Sequence, residues 1–195
     1  MSRVAGIVLA AGLSERMGRP KQLLPYRDGI LLDAVVAAAE ESVLDPVVVV
    51  LGAAAIEVEA QLRRGRSSLA RNLAYQSGNL SSLRTGVDAI GAHDAVVLLL
   101  GDTPQVEAAV IDTLVSRWLH DRRRYAVTAY EDGDAHPLLL SSSATSTLDE
   151  LEGAKPLWRL VREADAGDLL RVPVDRRRPR DVDTAADYEA LLAEA

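Results

Sequence analysis

Hydrophobic residues fall into two alternating rhythms along this chain. Arg3 to Ala10 is apolar after its first residue, Val47 to Leu51 is four Val and a Leu, and Ala95 to Leu100 is apolar throughout. Unbroken runs of this length mark strands buried on both faces. Tyr125 to Tyr130 also reads as a strand, and the segment Asn72 to Tyr75 as a short one. Between these runs the period changes. Leu32, Val35, Val36, Ala39 and Val43 recur at helical spacing and predict an amphipathic helix over 31–43. Residues 54–63 and 80–91 read as helices, and Val106, Val110, Leu114 and Trp118 recur every fourth position in another. Strand and helix therefore alternate up to residue 130, which predicts an α/β fold: a mostly parallel sheet with helices on both faces. The rhythm weakens beyond that point. Residues 131–140 predict a loop and an extended return, 143–151 and 156–164 short helices, 169–174 an extended piece, and 184–194 a closing helix. No internal repeat interrupts the chain, so 1–195 reads as one domain with a regular half, 1–130, and a less regular segment, 131–195.

Composition narrows the chemistry. The chain has 195 residues, 48% apolar and 26% charged, with no Cys and three His. Thiolate metal sites, iron–sulfur clusters and cysteine nucleophiles are excluded, and three scattered His make a multi-histidine site improbable. A metal is expected on oxygen ligands, which favours Mg²⁺. The net charge of −7 argues against nucleic acid as a partner. No run approaches the roughly 18 apolar residues of a membrane span. Val4 to Leu13 leads into a motif that needs it intact, so it is not read as a signal peptide, and a cytoplasmic location is expected. Of 22 basic residues only Lys21 and Lys155 are Lys. Lys155 reads as an ordinary surface residue, and the Arg-rich run Asp175 to Arg180 as a solvated loop.

Lys21 is different, because of where it falls. The stretch Leu9-Ala10-Ala11-Gly12-Leu13-Ser14-Glu15-Arg16-Met17-Gly18-Arg19-Pro20-Lys21 follows the first buried strand directly. Ligands of open α/β sheets bind at the carboxyl ends of strands. A glycine-bearing loop there presents backbone N–H groups to phosphate, Arg16 and Lys21 add positive charge, and Gly12 and Gly18 allow close approach or positive φ. The spacing is neither that of a Walker A loop nor G-x-G-x-x-G. A second candidate is Leu98-Leu99-Leu100-Gly101-Asp102-Thr103-Pro104, which puts Asp102 just past another buried strand, where a carboxylate can hold Mg²⁺ against nucleotide phosphates; a helix-capping Asp is the plainer reading. The third is Asp181-Val182-Asp183-Thr184-Ala185-Ala186-Asp187-Tyr188, where Thr184 and Asp187 fit a capping box opening the last helix.

The first of these stretches resembles the signature L-A-[AG]-G-x-S-x-R-M-G-x-x-K of the molybdenum-cofactor nucleotidyltransferase family at every position, most like its cytidylyltransferase branch. The resemblance implies a Rossmann-like three-layer sandwich of the nucleotide-diphospho-sugar transferase type. It implies that 1–130 binds the nucleotide and that 131–195 faces the acceptor. It places Leu9, Ala10, Ala11, Gly12, Ser14, Arg16 and Lys21 on the nucleoside triphosphate, with Arg16 and Lys21 on its phosphates. Ala11 points to CTP rather than GTP, since family members with L-A-A-G tend to use CTP; the extra methyl would narrow the base pocket. Asp102 becomes a metal ligand and catalytic residue. Asp183 becomes the second ligand and Asp181 a weaker candidate. Gly78-Asn79-Leu80-Ser81-Ser82-Leu83 resembles the segment over base and ribose, which adds Gly78, Ser81 and Ser82; locally, Ser81 or Ser82 would cap the helix that follows. His136-Pro137 matches an acceptor-side pattern with Ala135 in place of Gly, and His136 reads equally as a polar loop histidine. Thr103 stands where cytidylyltransferases carry Gln or Met, and Gly153-Ala154-Lys155-Pro156 only loosely echoes the family's acceptor loop.

The reaction so implied is transfer of CMP from CTP to a phosphorylated acceptor such as molybdopterin, with Mg²⁺ and release of pyrophosphate. The protein would be a monomer or small homo-oligomer in transient contact with a molybdoenzyme or its chaperone. Three readings compete with it. One is the same chemistry with GTP, or with phospholactate or a sugar phosphate as acceptor. Another is a nucleotide-binding regulator without turnover. The last is a phospho-acceptor signalling domain, which would need an acidic pair after the first strand where Ala10-Ala11-Gly12 stands.

Overall fold

The computed structural model describes residues 2–151 and 156–194. The expectations for Gly153, Ala154 and Lys155 lie outside the described residues. Seven strands form one sheet in the order β5-β4-β1-β6-β8-β7-β9. These are β1 (Val4–Ala10), β4 (Val47–Leu51), β5 (Ser68–Arg71), β6 (Ala95–Leu100), β7 (Tyr125–Tyr130), β8 (Gly133–Ser141) and β9 (Leu169–Pro173), and a small hairpin, β2 (Pro25–Tyr26) with β3 (Gly29–Ile30), stands apart. β1 lies between β4 and β6, parallel to both, with Ile7 opposite Val48 on one side and Leu98 on the other. Only β8 runs against its neighbours β6 and β7.

The unbroken apolar runs are explained by two cores, one on each face. Along β1, Val4, Val8 and Ala10 join α1 (Leu31–Glu41), α2 (Ala55–Gln61) and α4 (Ala108–Asp121). Ala5, Ile7 and Leu9 join α3 (Asn79–Ile90), α5 (Ser142–Thr145) and α6 (Pro156–Glu163). A strand covered on both sides has no polar face to show, so every residue of β1 is buried. Polar groups are left to the loops at the strand ends.

Two local expectations are corrected. The strand expected at 72–75 lies at Ser68–Arg71; there Asn72 turns the chain instead, its Oδ1 accepting from the Ala74 amide at 2.9 Å. The loop and extended return expected at 131–140 are present, the return being β8, paired with both β6 and β7. Neither Ser81 nor Ser82 caps α3: the helix starts at Asn79, with Gly78 as N-cap and no side-chain cap bond.

The closing segment folds back to the centre of the sheet. Thr184 and Asp187 form the expected capping box of α7 (Ala185–Ala193), and Asp187 Oδ2 also accepts from the Asp183 amide at 3.2 Å. Just before it, Val182 is fully buried with Leu24, Tyr26, Leu31 and Leu191. The Val182 amide donates to the Asp102 carbonyl at 3.0 Å. One buried apolar residue thus sets Asp181 and Asp183 on either side of it, at the end of β6.

α3 packs tightly on β1 at Gly86, where an added Cβ would lie 2.7 Å from Ile7 Cγ2. Gly86→Val should therefore destabilise the protein by about 2 kcal/mol through overpacking, read as a fall in the urea midpoint; an unchanged midpoint would show that the contact is slack.

Candidate active site

The loop after β1 owes its shape to its own side chains. Ser14 and Gly18 both take left-handed backbone angles, with φ of 54° and 68°. Ser14 Oγ accepts from the Lys21 amide at 3.1 Å and lies 3.4 Å from Gln22 Oε1, to which it donates. Gln22 is almost wholly buried and donates to the Ala10 carbonyl at 3.0 Å. Sequence reading passed over Gln22 although it follows Lys21 directly; a polar residue in an apolar register next to a motif was the available signal. Among the described residues the amides of Leu13, Ser14, Glu15 and Arg16 have no protein hydrogen bond. A run of free donors beside cationic side chains is a cradle for an anion. Gly12 lies in open space, where a Cβ would meet nothing within 4 Å, so its backbone is accessible to a ligand. A cavity of about 260 Å³ between this loop and Asp183 is lined by Gly12, Ser14, Arg16 and Lys21.

Lys21 joins the loop to the carboxylates. Its ammonium donates to Asp102 Oδ2 at 2.5 Å and to Asp183 Oδ1 at 2.8 Å, while Arg16 donates to Asp183 Oδ2 at 2.8 Å. The first two partners lie 81 and 162 residues away along the chain. Burial works against the Lys21 charge, but Asp102 and Asp183 outweigh it and hold its pKa above the ordinary lysine value. Hydrogen bonding from Lys21, with a further contribution from Arg16, draws the Asp183 carboxyl below the usual range despite some burial. Asp181 moves the other way, raised by burial and by the charges of Asp102 and Asp183. Three carboxylates therefore share one small region. Asp102 is not a helix cap, since α4 begins after Glu107.

These residues fit a divalent cation. Asp102 Oδ1 is buried without a hydrogen-bond partner among the described residues, and such an oxygen carries a standing desolvation cost until a donor or a cation reaches it. No group of three or more His, Cys or acidic side chains among the described residues is arranged as a complete metal cage. Asp102 and Asp183 suit a hard cation that takes its remaining ligands from phosphate and water.

The other expected residues divide. Leu9, Ala10, Ala11, Gly12, Arg16, Lys21, Ser82, Asp102, His136 and Asp183 all line one continuous cleft of about 2510 Å³. Gly78 and Ser81 do not. Gly78, at φ 97°, makes the turn into α3, and its carbonyl accepts from Ser81 Oγ at 2.8 Å. Asn72, read in the sequence as the start of a strand and not as a site residue, donates to Ser81 Oγ at 2.8 Å and Ser82 Oγ at 2.9 Å and fixes this turn. Ala11 is buried against Gly52, where an added Cβ would lie 2.8 Å from the Ala11 Cβ. The Arg-rich run is not simply solvated: Arg176, Arg178 and Arg180 pair with Glu107, Asp132 and Glu194, and the run forms one wall of the cleft.

Fold and site together define a nucleotidyltransferase of the nucleotide-diphospho-sugar transferase fold. The chain belongs to the family of the MobA-like NTP transferase domain, whose sequence model matches residues 6–168. Among its relatives, a probable molybdenum cofactor guanylyltransferase of Mycobacterium avium is 32% identical over 97% of this chain and 95% of its own. The molybdenum cofactor cytidylyltransferase of Escherichia coli is 30% identical over 72% of this chain and 71% of its own. A nicotine blue oxidoreductase of Paenarthrobacter nicotinovorans is 29% identical over 97% and 96%. Among solved structures, Rv0371c of Mycobacterium tuberculosis superposes with a TM-score of 0.88 at 34% identity over 98% of both chains, and that protein is also known as a manganese complex. No helix among the described residues is long and apolar enough to cross a membrane.

His136 gives the site a pH signature. Burial pushes its imidazole down to about 4, against about 6.5 in an unfolded chain. Between those values the unfolded chain binds the extra proton, so stability falls as pH drops from about 6.5 to about 4. His136→Phe should flatten that part of the stability curve, measured by urea unfolding from pH 7 to 4; an unaltered slope would assign it to other groups.

Proposed function

We propose that this enzyme transfers CMP from CTP to the terminal phosphate of molybdopterin or a closely similar phosphorylated acceptor, releasing pyrophosphate. The observation that supports this most is the convergence of Lys21, Asp102 and Asp183 beside a loop of free backbone amides. In the reaction an acceptor phosphate oxygen forms a bond to the α-phosphorus of CTP, and the bond from that phosphorus to the pyrophosphate oxygen breaks. A phosphate nucleophile is already anionic at neutral pH, so no general base is required. The protein's work is positioning and charge neutralisation. The amides of Leu13 to Arg16 and the side chains of Arg16 and Lys21 hold the triphosphate. Lys21 exchanges carboxylate partners for phosphate oxygens and stabilises the charge that develops on pyrophosphate. Asp102 and Asp183 hold Mg²⁺, which when bound offsets phosphate charge. Ser14 acts through the loop, by fixing the Lys21 amide.

Ala11 supports CTP, since its buried methyl fills space that a glycine would leave next to Gly52. GTP is the second reading. It is favoured by the relative named a guanylyltransferase, which aligns along nearly the whole chain, whereas the cytidylyltransferase aligns over 72%.

Pyrophosphate release from CTP, GTP, ATP and UTP, with Mg²⁺ and with or without molybdopterin, tests the base and the acceptor at once. CTP with molybdopterin should be fastest; a GTP preference would replace the base assignment, and no release from any pair would remove the activity. Asp102→Asn should lose most turnover with an unchanged melting temperature. Lys21→Ala should lower it at least about 10²-fold, on the scale of a lost transition-state donor. Wild-type rates in either variant would remove that residue from the mechanism.

A further inference from the structure

The carboxylates of the site come from two segments that meet only in the fold: the turn after β6, which carries Asp102, and the stretch before α7, which carries Asp181 and Asp183. The turn is stiff. Thr103 is buried, and its amide, at 3.2 Å, and its Oγ1, at 2.8 Å, both donate to the Leu100 carbonyl. The Val106 amide donates to the Thr103 carbonyl at 3.1 Å. Pro104 fixes one more backbone angle within it. Gln105 leaves this turn partly buried, on the wall of the cleft.

The two segments are joined at two points. The Val182 amide donates to the Asp102 carbonyl at 3.0 Å, and the Arg180 amide donates to Gln105 Oε1, also at 3.0 Å. The first bond alone would hold the segments together but leave the later one free to swivel about it. The second bond, set further along both segments, removes that freedom. The direction in which Asp181 and Asp183 leave the backbone is then fixed relative to Asp102.

Gln105 is itself held. Its Nε2 donates to Glu194 Oε2 at 3.1 Å, and the other oxygen of that carboxylate accepts from Arg180 Nη2 at 2.5 Å. An ionised carboxylate only accepts and a backbone amide only donates, so one orientation of the Gln105 amide serves both neighbours. Glu194 is the C-cap of α7, where the carbonyl end of a helix disfavours negative charge. Hydrogen bonds from Arg180, and then from Gln105, nevertheless draw its carboxyl below the usual range. The Arg180–Glu194 pair is well exposed, and pairs of that kind add little to stability. What Gln105, Arg180 and Glu194 contribute together is direction.

We propose that Gln105 is the positioning residue of the acidic cluster: it sets the Asp181–Asp183 segment against the Asp102 turn and, through Glu194, ties both to the end of the last helix. It acts through Asp102 and Asp183, and the proposal rests on the reading that these two hold the divalent cation. Side chains that orient metal ligands without touching the metal commonly carry about 10- to 100-fold of metal affinity.

Mn²⁺ alone, titrated into the full chain and followed by the electron paramagnetic resonance of the free ion, tests this without turnover. Gln105→Met keeps the length and bulk of the side chain and loses both bonds; it should weaken Mn²⁺ binding at least about tenfold. Gln105→Glu should do the same, because it sets a second carboxylate against Glu194. The double variant Gln105→Glu/Glu194→Gln exchanges donor and acceptor between the two side chains at constant net charge, and it should regain most of the wild-type affinity. In Gln105→Met, kcat should fall about tenfold with the metal affinity, while KM for CTP and the melting temperature hold, since the loop after β1 is untouched. If that variant melts early, the double variant decides: recovery over Gln105→Glu upholds the role, and no recovery overturns it. Wild-type Mn²⁺ affinity in Gln105→Met would also overturn it, and loss of Mn²⁺ binding in Asp102→Asn would then show that the metal reading survives. No Mn²⁺ binding to the wild type, or binding that Asp102→Asn leaves unchanged, would remove the metal reading and the role of Gln105 with it.

Discussion

A single ammonium group holds this site together. Lys21 donates to carboxylates from two distant parts of the chain, one at the end of the central strand β6 and one just before the last helix. Without it, Asp102, Asp181 and Asp183 would face one another across a small volume, with Arg16 beside Asp183 and Arg178 toward Asp181 as counter-charges. Burial first, and then the charges of Asp102 and Asp183, raise the pKa of Asp181. The arrangement is also easy to exchange. A cation and an anionic phosphate can replace, pair for pair, what Lys21 and the two carboxylates now give each other, so ligand entry need not create new charge in the cleft.

The clamp depends on the sheet, and the sheet on burial. Apolar side chains on both faces leave the parallel strands no place for polar groups except the loops at their ends. The buried Val182 and the bond from its amide to the Asp102 carbonyl then bring a segment from the far end of the chain to that same edge. Close packing continues into the site. Gly52 admits the loop after β1 so closely that a Cβ would stand 2.5 Å from the Ala11 carbonyl oxygen. Loop position is therefore set by backbone contact, while Ser14, Gln22 and Asn72 fix local shape with hydrogen bonds that leave the amides of Leu13 to Arg16 free.

Most of the architecture was legible where burial is two-sided or helical periodicity is strong. The strands at Val47–Leu51, Ala95–Leu100 and Tyr125–Tyr130 fall where the apolar runs stand. What escaped reading was governed by contacts between distant residues. β5 is a half-exposed edge strand whose sequence, Ser68 to Arg71, has no apolar run to betray it. β8 was legible as an extended return, but its place between β6 and β7 was not: Asp134 to His136 line the cleft, while Pro137 to Ser141 enters the core. In the site, the motif residues stood out because glycine, arginine and a rare lysine coincide within a few positions. Gln22 and Asn72 did not, since a buried amide that shapes a loop looks in sequence like any polar residue. Gln105 needed the fold to bring it to Arg180 and Glu194.

The choice of lysine at position 21 has a physical reason in this Arg-rich chain. Elsewhere arginine serves surface pairs and cleft walls, where its planar fork binds carboxylates in a fixed geometry. Between Asp102 and Asp183 the donor must satisfy two carboxylates in different directions from one point, at 2.5 and 2.8 Å. A compact ammonium on a flexible stem does this, and it can turn toward a phosphate without carrying a rigid plane through a narrow site. Arg16, more exposed and bound to Asp183 alone, sits where a fork is useful. Net acidity is no obstacle to a triphosphate for the same reason. The charge that matters is local, and it is held beside the free amides by the very carboxylates that make the surroundings acidic.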